Sequence, residues 1–258
     1  MRILVTGASG TLGSHVVRLL AAPHGPPGVE VHALSRAERP SADGVIWHRG
    51  DLATGEGIAG AAAGMDVIVH CASDARRPKG ELSAARTLVE AARANGSPRL
   101  VYISIVGVDR IPFGYYQAKY AVERYIENGG LPYAVLRTTQ FHDFPAMILE
   151  ALAKVPGVLP VPAGLRVQPI DAGEVAARLV ELALAPGAAG RAEDMGGPET
   201  FTFAELARSY LAATGRRRVL LPLRIPGRAM RGFRAGHNLA PGHVAGERTW
   251  REFLGRRK

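Results

Sequence analysis

The segment TGASGTLG, residues 6–13, is the stretch of sequence that decides the fold. It follows a short apolar strand at residues 2–6 and precedes residues 11–22, where apolar side chains recur at helical spacing. Glycines between a strand and a helix permit a tight turn, a close approach to a pyrophosphate and close helix–strand packing. The pattern predicts dinucleotide binding rather than a plain turn, with the N–H groups of the helix start facing the phosphates. The predicted loop residues are Gly7, Ser9, Gly10, Thr11, Leu12 and Gly13.

On either side of this loop, apolar runs alternate with helical patterns along the first two thirds of the chain. We predict strands at residues 2–6, 29–34, 45–48, 66–70, 100–104 and 133–137, with a possible short strand at 167–170. Helices are predicted at 11–22, 82–95, 115–128, 172–185 and 203–214. This alternation predicts an α/β fold with a doubly wound parallel sheet of the Rossmann type. We assign residues 1–150 to this core and 151–258 to a smaller C-terminal region that covers the substrate and partly returns to the sheet.

Composition excludes several classes of protein. Of the 258 residues, 47% are hydrophobic and 21% charged, which excludes a disordered or fibrous chain. The sequence contains no run of 18 apolar residues and opens on a strand instead of a secretory leader, so we expect a cytoplasmic protein with no membrane partner. The single cysteine excludes a disulfide framework, and the eight histidines lack metal-ligand spacing, so no metal is expected.

The net charge of +9 is confined to one end of the chain. Residues 216–258 carry 12 basic and 2 acidic side chains, whereas residues 1–215 carry 20 and 21. No nucleic-acid-binding motif accompanies this segment, so we predict a small-molecule substrate, no nucleic acid, and a monomer or homodimer. The segment is interpreted as a partly helical cap whose arginines border the substrate cleft or face solvent: Arg224, Arg228, Arg231 and Arg234.

The residues after the second strand discriminate between the two nicotinamide cofactors. NAD-binding sites usually place an acidic residue there, but this chain has Ser35 and Arg36, which suit a 2′-phosphate. We therefore predict NADP(H) in preference to NAD(H), with Arg39 as a competing partner for the phosphate. Asp51 and Leu52 follow the third strand, where Asp51 either reaches the adenine or caps a short turn. Small residues that would pass close to the ribose follow the fourth strand: Cys71, Ala72 and Ser73.

The segment YYQAK, residues 115–119, carries the predicted chemistry. A spacing of four residues puts Tyr115 and Lys119 on one face of a helix. An ammonium group nearby lowers the pKa of a tyrosine, whose unperturbed value is about 10, so the pair can protonate a carbonyl oxygen as hydride arrives. Lys119 can also bind the nicotinamide ribose. Tyr116 is the rival acid and is interpreted as a pocket-wall or packing residue.

Together, TGASGTLG, LSR at 34–36, GDL at 50–52, YYQAK and VQPID at 167–171 resemble an atypical short-chain dehydrogenase/reductase of the NmrA-like group. The resemblance implies a catalytic Tyr115 and Lys119 with a serine after the fifth strand, for which Ser104 is the candidate. It places Thr138 and Thr139 beside the cofactor. The implied substrate wall comprises Gln140, Phe141, His142 and Phe144, to which Phe113 and Tyr116 add apolar surface. His142 has an alternative role as a structural histidine.

The expected activity is hydride transfer from NADPH to a small carbonyl or to a quinoid or aromatic compound, as in a ketoreductase or quinone reductase. The resemblance leaves two alternatives. One is a non-catalytic NADP(H)-binding redox sensor, although sensors of this family tend to lose the tyrosine–lysine pair. The other is a nucleotide-sugar epimerase or dehydratase, although those enzymes usually have longer chains.

Overall fold

The computed structural model describes residues 1–187 and 190–257, which form eleven strands, nine α-helices and one short 3-10 helix. The first part of the chain contains β1 (Arg2–Thr6), α1 (Thr11–Leu20), β2 (Glu30–Ser35), β3 (Val45–Arg49), α2 (Ile58–Ala62), β4 (Val67–His70), α3 (Glu81–Ala94), β5 (Arg99–Ile105), α4 (Gly114–Glu127) and β6 (Tyr133–Thr138). The remainder contains α5 (Asp143–Leu152), β7 (Val158–Pro162), β8 (Arg166–Val167), α6 (Ala172–Leu184), β9 (Gly190–Arg191), β10 (Phe201–Thr202), α7 (Phe203–Thr214), β11 (Val219–Leu223), α8 (Arg228–Arg234) and α9 (Trp250–Gly255).

Seven strands form one parallel sheet in the order β3-β2-β1-β4-β5-β6-β9, which confirms the predicted doubly wound architecture. The strand order reverses between β1 and β4, and a crevice at the carboxyl ends of the strands forms at such a point. The loops after β1 and β4 therefore meet at the edge where the sequence predicts cofactor binding. The predicted bounds of the six main strands and of α1, α3, α4, α6 and α7 lie within two residues of the observed ones.

Helices cover both faces of this sheet. On one face, Leu4, Ile68 and Tyr102 pack in a hydrophobic cluster with side chains from α2, α3 and α4. Because strand residues alternate between faces, Ile3 and Val5 point to the opposite face, where α1 and α6 pack together. Because the side chains on both faces of the sheet are buried, the sequences of its strands are continuous apolar runs.

The chain divides into two compact units that interleave along the sequence. The first comprises 1–104, 117–136 and 172–192, and the second comprises 105–116, 137–171 and 193–257. The chain crosses between these units at several points, none of them at residue 150, and the functional division predicted there stays a prediction. The segment with α6 and β9 belongs to the first unit, and β9 is the last strand in the order of the sheet. Sequence patterns place such crossings poorly because each unit is assembled from segments distant in the chain.

The second unit has its own core, built around α5, α7 and α9. Leu149, Leu159, Leu206 and Trp250 are all fully buried within it. The strand expected at 167–170 is reduced to the two residues of β8, since Pro169 has no N–H to donate. The side chain of Gln168 instead binds the backbone of Gly197 and Ala240.

Candidate functional site

The glycine loop between β1 and α1 has the geometry that the sequence predicts. Gly7 has a φ of +64°, and a Cβ there would lie 2.6 Å from the backbone N of Ala72. A Cβ on Gly13 would lie 2.2 Å from the carbonyl oxygen of Gly7. Both positions require glycine for the packing of the chain itself. Gly10 is different, because its Cβ would approach only the Gly7 oxygen, at 3.2 Å.

The start of α1 has the features of an anion-binding site. Its N-cap residue, Gly10, provides no side-chain hydrogen bond, and its first turn contains no acidic residue. The N–H groups of the first helical turn, at Thr11, Leu12 and Gly13, have no intrahelical acceptor in such a geometry. A glycine beside uncapped N–H groups fits the pyrophosphate of a dinucleotide.

After β2, the two arginines that compete for a 2′-phosphate have different environments. The guanidinium of Arg39 lies 4.9 Å from the ring centroid of Trp47, in a cation–π arrangement. Arg36 is exposed, and the hydroxyl of the preceding Ser35 accepts a hydrogen bond from the N–H of Ala37 at 3.2 Å. Arg36 is therefore the more available partner for a phosphate.

Asp51 takes part in a local turn. Its Oδ1 accepts a hydrogen bond from the N–H of Ala53 at 2.8 Å, and its carbonyl accepts from Gly55. The neighbouring Leu52 packs in the core of the first unit. Asp51 therefore forms a local turn, which is one of the two roles left open for it. Its contact with adenine stays a prediction.

A chain of hydrogen bonds links the ends of β1 and β4. Thr6 Oγ1 lies 2.7 Å from His70 Nδ1 and 3.3 Å from the N–H of Ala72. Because Ala72 donates to Thr6, the Thr6 hydroxyl can donate to Nδ1, which requires a neutral His70. Burial, reinforced by the charge of Lys119, lowers the pKa of His70 to about 3. The arrangement holds the loop that contains Ala72 against the glycine loop.

The remainder of the β4 loop is held by Glu81, a buried acid that the sequence analysis did not single out. Both carboxylate oxygens of Glu81 accept from the hydroxyl of Ser73 at 3.0 Å, and Oε1 accepts from the N–H of Asp74 at 2.6 Å. Burial raises the pKa of the Cys71 thiol in the same loop to about 12, so Cys71 is protonated at neutral pH.

Lys119 is buried in the first unit, with 2% of its surface exposed. Its Nζ lies 4.3 Å from the centroid of the Tyr102 ring, a cation–π partner on β5. Burial lowers the pKa of the ammonium, and the carboxylates of Glu81 and Glu123 oppose that shift. Tyr102 and Glu81 were not predicted as partners of Lys119, because both lie outside the YYQAK segment and neither belongs to a motif.

Ser104 is the penultimate residue of β5 and is buried. Its Oγ has no hydrogen-bond partner among the described residues. A buried hydroxyl without a partner costs free energy unless a ligand or water satisfies it. The catalytic role of Ser104 stays a prediction, with which this geometry is compatible.

The two tyrosines of YYQAK differ in burial. Tyr115 is half-buried, whereas Tyr116 is buried and packs edge-on against Phe113 and Phe233 in the second unit. Its hydroxyl accepts a hydrogen bond from Gln140 at 3.0 Å. Burial raises the pKa of Tyr116 far above its usual value, which makes it a poor proton donor. Phe233, contributed by α8, is a further member of this cluster that the sequence analysis did not identify.

The segment after β6 lies in the second unit and has mixed exposure. Thr138 and Thr139 are buried, and the hydroxyl of Thr139 accepts from the N–H of Gly197 at 3.3 Å. Phe141 is half-buried and Phe144 is largely exposed. Their contacts with cofactor and substrate stay predictions.

His142 lies deeper than the sequence suggested, with 1% of its surface exposed. Its ring is 5.1 Å from that of Phe253 and 6.0 Å from that of Trp250, both in α9. Burial lowers its pKa to about 4, although Asp171 and Asp143 partly oppose the shift. The ring of His142 thus packs against α9, and its role, structural or in contact with substrate, stays a prediction.

Two further properties of the described residues bear on the site. They contain no group of three or more His, Cys, Asp or Glu side chains arranged to hold a metal ion. Among them, no helix combines the length and the apolar character needed to cross a membrane.

Comparison with known proteins gives a consistent result. The model of the NAD(P)H-binding family matches residues 7–186. The chain is 28% identical over 247 residues to the NAD(P)H azoreductase of Xenophilus azovorans, covering 92% of this chain and 83% of that protein. Its structure is similar to that of an NADPH-dependent quinone oxidoreductase from Escherichia coli, with a TM-score of 0.81 and 19% identity over 98% of this chain and 99% of that one.

A nucleoside-diphosphate-sugar epimerase from Staphylococcus aureus is equally similar, with a TM-score of 0.80 and 20% identity over 98% of this chain and 99% of that one. A reductase and an epimerase thus share this fold with the chain. The structural similarity shows the fold, and the activity has to be argued from the side chains of the site.

Proposed function

Because the chain belongs to the NAD(P)H-binding family of atypical, NmrA-like short-chain dehydrogenases/reductases, we propose that it is an NADPH-dependent oxidoreductase. Its substrate would be a small carbonyl or quinoid aromatic compound. The observation that carries this proposal is the buried ammonium of Lys119, one helical turn after the half-buried Tyr115. The similarity to an azoreductase over most of both chains supports a reductase.

In the proposed reaction, bound NADPH supplies a hydride to the substrate. The hydroxyl of Tyr115 donates a proton to the substrate oxygen that becomes negatively charged. The positive charge of Lys119 would stabilise the phenolate that remains. Ser104 would donate a second hydrogen bond to the same oxygen. The cofactor phosphates would bind at the start of α1 and at Arg36.

The aromatic residues of the second unit support a flat, uncharged substrate. Phe113 and Phe144 keep about half of their surface exposed, and Phe113 packs edge-on against Tyr116. Exposed aromatic rings favour stacking with an aromatic compound more than binding of a charged nucleotide sugar. We therefore favour reduction over epimerisation.

Replacing Tyr115 by phenylalanine tests the assigned acid. We expect Tyr115→Phe to lower kcat for carbonyl reduction about 100-fold or more, because a positioned proton donor contributes that much, and to leave the Kd for NADPH unchanged. The assay is NADPH oxidation with a panel of carbonyl and quinone compounds.

Tyr116→Phe is the matched control, since Tyr116 is buried and already bonded to Gln140. It should retain most of the activity. Carbonyl turnover unaffected by Tyr115→Phe would exclude Tyr115 as the acid. Tight NADPH binding without turnover of any compound in the panel would favour the sensor alternative.

The preference for NADPH is tested at Arg36. We expect Arg36→Ser to weaken NADPH binding by about tenfold or more and to leave NADH binding nearly unchanged, because only NADPH has the 2′-phosphate. Isothermal titration with both cofactors measures the effect. Arg39→Ser is the control, since Arg39 stacks on Trp47. A larger loss of NADPH affinity in Arg39→Ser than in Arg36→Ser would reassign the phosphate contact.

A further inference from the structure

The second unit contains a two-stranded parallel sheet whose two faces have different environments. β7 and β11 pair in register from Val219 opposite Val158 to Leu223 opposite Pro162. Leu159 and Val161 of β7 are buried, and Leu220, opposite Leu159, packs against the core of the unit. Register partners in a sheet lie on the same face, so these residues define the inner face.

The opposite face is apolar and open. By alternation along the two strands it consists of six residues, which we call the β7/β11 face: Val158, Pro160, Pro162, Val219, Leu221 and Leu223. Val219, Leu221 and Leu223 have 70%, 47% and 45% of their surface exposed. No side chain on this face is polar. Exposed aliphatic side chains clustered in this way are characteristic of an interaction surface.

Exposed arginines lie within five residues of the ends of β11 in the chain. Arg217 precedes the strand, and Arg224 and Arg228 follow it, all of them exposed. No aspartate or glutamate occurs between Glu205 and Glu247. In the part of the chain that the structure describes, none of these three arginines forms an ion pair with a carboxylate. The apolar face is thus bordered by positive charge that the chain itself does not neutralise.

We propose that the β7/β11 face docks on the surface of a phospholipid bilayer that contains anionic headgroups. The aliphatic side chains would enter the boundary between headgroups and acyl chains, while the flanking guanidinium groups bind phosphates. Such contact is peripheral and needs no membrane-spanning helix. It differs from the expectation from sequence that the protein has no membrane partner.

Two other occupants fit the surface less well. Pairing of this face with that of a second copy would bring the arginines of both copies together, and such like-charge contacts are unfavourable. A protein partner usually meets aromatic anchors and polar side chains, and the β7/β11 face contains neither. A lipid surface requires only aliphatic side chains and positive charge, which is what the face and its borders provide.

Co-sedimentation of the full chain with vesicles tests the proposal. We expect binding to vesicles of 70% phosphatidylcholine and 30% phosphatidylglycerol, and little binding to phosphatidylcholine alone. Binding should weaken as salt is raised from 0.05 to 0.5 M, since added ions screen exposed charges. Arg217→Gln/Arg224→Gln should reduce the partition coefficient about tenfold or more, as should Leu221→Ser/Leu223→Ser.

Matched controls change the same residue types elsewhere on the surface. Arg18→Gln/Arg93→Gln and Leu19→Ser/Leu184→Ser alter exposed side chains of the first unit and should bind vesicles like the unmodified chain. Circular dichroism and Tm establish that each variant is folded. The proposal is overturned if the unmodified chain stays in the supernatant, if both vesicle types bind equally, or if the control pairs weaken binding as much as the test pairs. It is also overturned if Leu221→Ser/Leu223→Ser converts a dimer into a monomer, measured by light scattering, because the face would then join two copies.

Discussion

At the scale of single residues, the candidate cofactor site depends on a few buried polar groups that connect segments distant in the chain. The carboxylate of Glu81 binds the loop after β4 through Ser73 and Asp74 and favours the charged form of Lys119. Glu81 therefore influences both the shape of the loop and the charge of the lysine. We infer that it positions the cofactor without touching the reacting atoms.

Replacing Glu81 by glutamine separates these effects from simple structural support. The amide keeps an acceptor for Ser73 but removes the negative charge, so the pKa of Lys119 should fall further. We expect Glu81→Gln to weaken NADPH binding about tenfold, because the hydrogen bonds that Ser73 and Asp74 donate to Glu81 would no longer be assisted by its negative charge. The basic limb of the pH profile of kcat/KM should move to lower pH. Glu90→Gln, an exposed change on the same helix, is the control, and an unmoved pH profile in Glu81→Gln would limit Glu81 to a structural role.

At the scale of elements, the β1–α1 connection combines two kinds of glycine. Gly7 and Gly13 are required by contacts within the chain, since a Cβ at either position would overlap backbone atoms. A Cβ on Gly10 would approach only one backbone atom, the carbonyl oxygen of Gly7. A requirement for glycine at this position would therefore come from the bound ligand. The same segment thus contains residues whose substitution affects folding and one whose substitution affects binding.

Three alanine substitutions distinguish these two kinds of glycine. Gly7→Ala and Gly13→Ala should each lower the free energy of unfolding by about 2 kcal/mol or more, through backbone strain and overlap. Gly10→Ala should change stability by less than about 1 kcal/mol and weaken NADPH binding. Urea unfolding and cofactor titration measure the two quantities. Gly60→Ala in α2, where a Cβ meets nothing within 4 Å, is the control. If Gly10→Ala bound NADPH normally, the backbone at Gly10 would not contact the pyrophosphate.

At the scale of the whole molecule, each compact unit contains a buried histidine that is neutral when folded. His70 in the first unit has a pKa of about 3, and His142 in the second has a pKa of about 4, both lowered primarily by burial. The unfolded value is about 6.5. Between these values the unfolded chain binds protons that the folded chain does not. The stabilising contribution of each histidine is therefore complete above pH 6.5 and is lost progressively as pH falls.

We expect the free energy of unfolding to decrease as pH falls from 6.5 to 4.5, by about 1.4 kcal/mol per pH unit for each buried histidine. His70→Gln should reduce this slope by the contribution of one histidine, whatever its effect on stability at pH 7.5. Urea unfolding at several pH values measures the slope. His24→Gln, which changes an exposed histidine, should leave it unaltered. The same slope in His70→Gln and in the unmodified chain would show that His70 titrates normally.

Much of the first unit could be predicted because the sequence patterns that specify it lie within short segments. The alternation of apolar strands with amphipathic helices, and the glycines at positions 7, 10 and 13, are properties of short segments. They predict the parallel sheet and the carboxyl-end location of the cofactor site. The short elements α2, β7, β11, α8 and α9 were not predicted, because five to seven residues carry too little periodicity. The ten-residue α5 was not predicted either, because it follows directly on an irregular turn.

The sequence by itself determined the Rossmann-type core, the glycine loop and the tyrosine–lysine pair, because each depends on residues within one helical turn or one strand–helix connection. Only the tertiary structure decided what surrounds them. Tyr102 and Glu81 become partners of Lys119 because β5, α3 and α4 pack together, and α9 buries His142 although it lies more than a hundred residues away. The tertiary structure also decided that the C-terminal basic segment borders an open apolar face. Such neighbours result from packing between segments distant in the chain, and this packing produces no periodic pattern in the sequence.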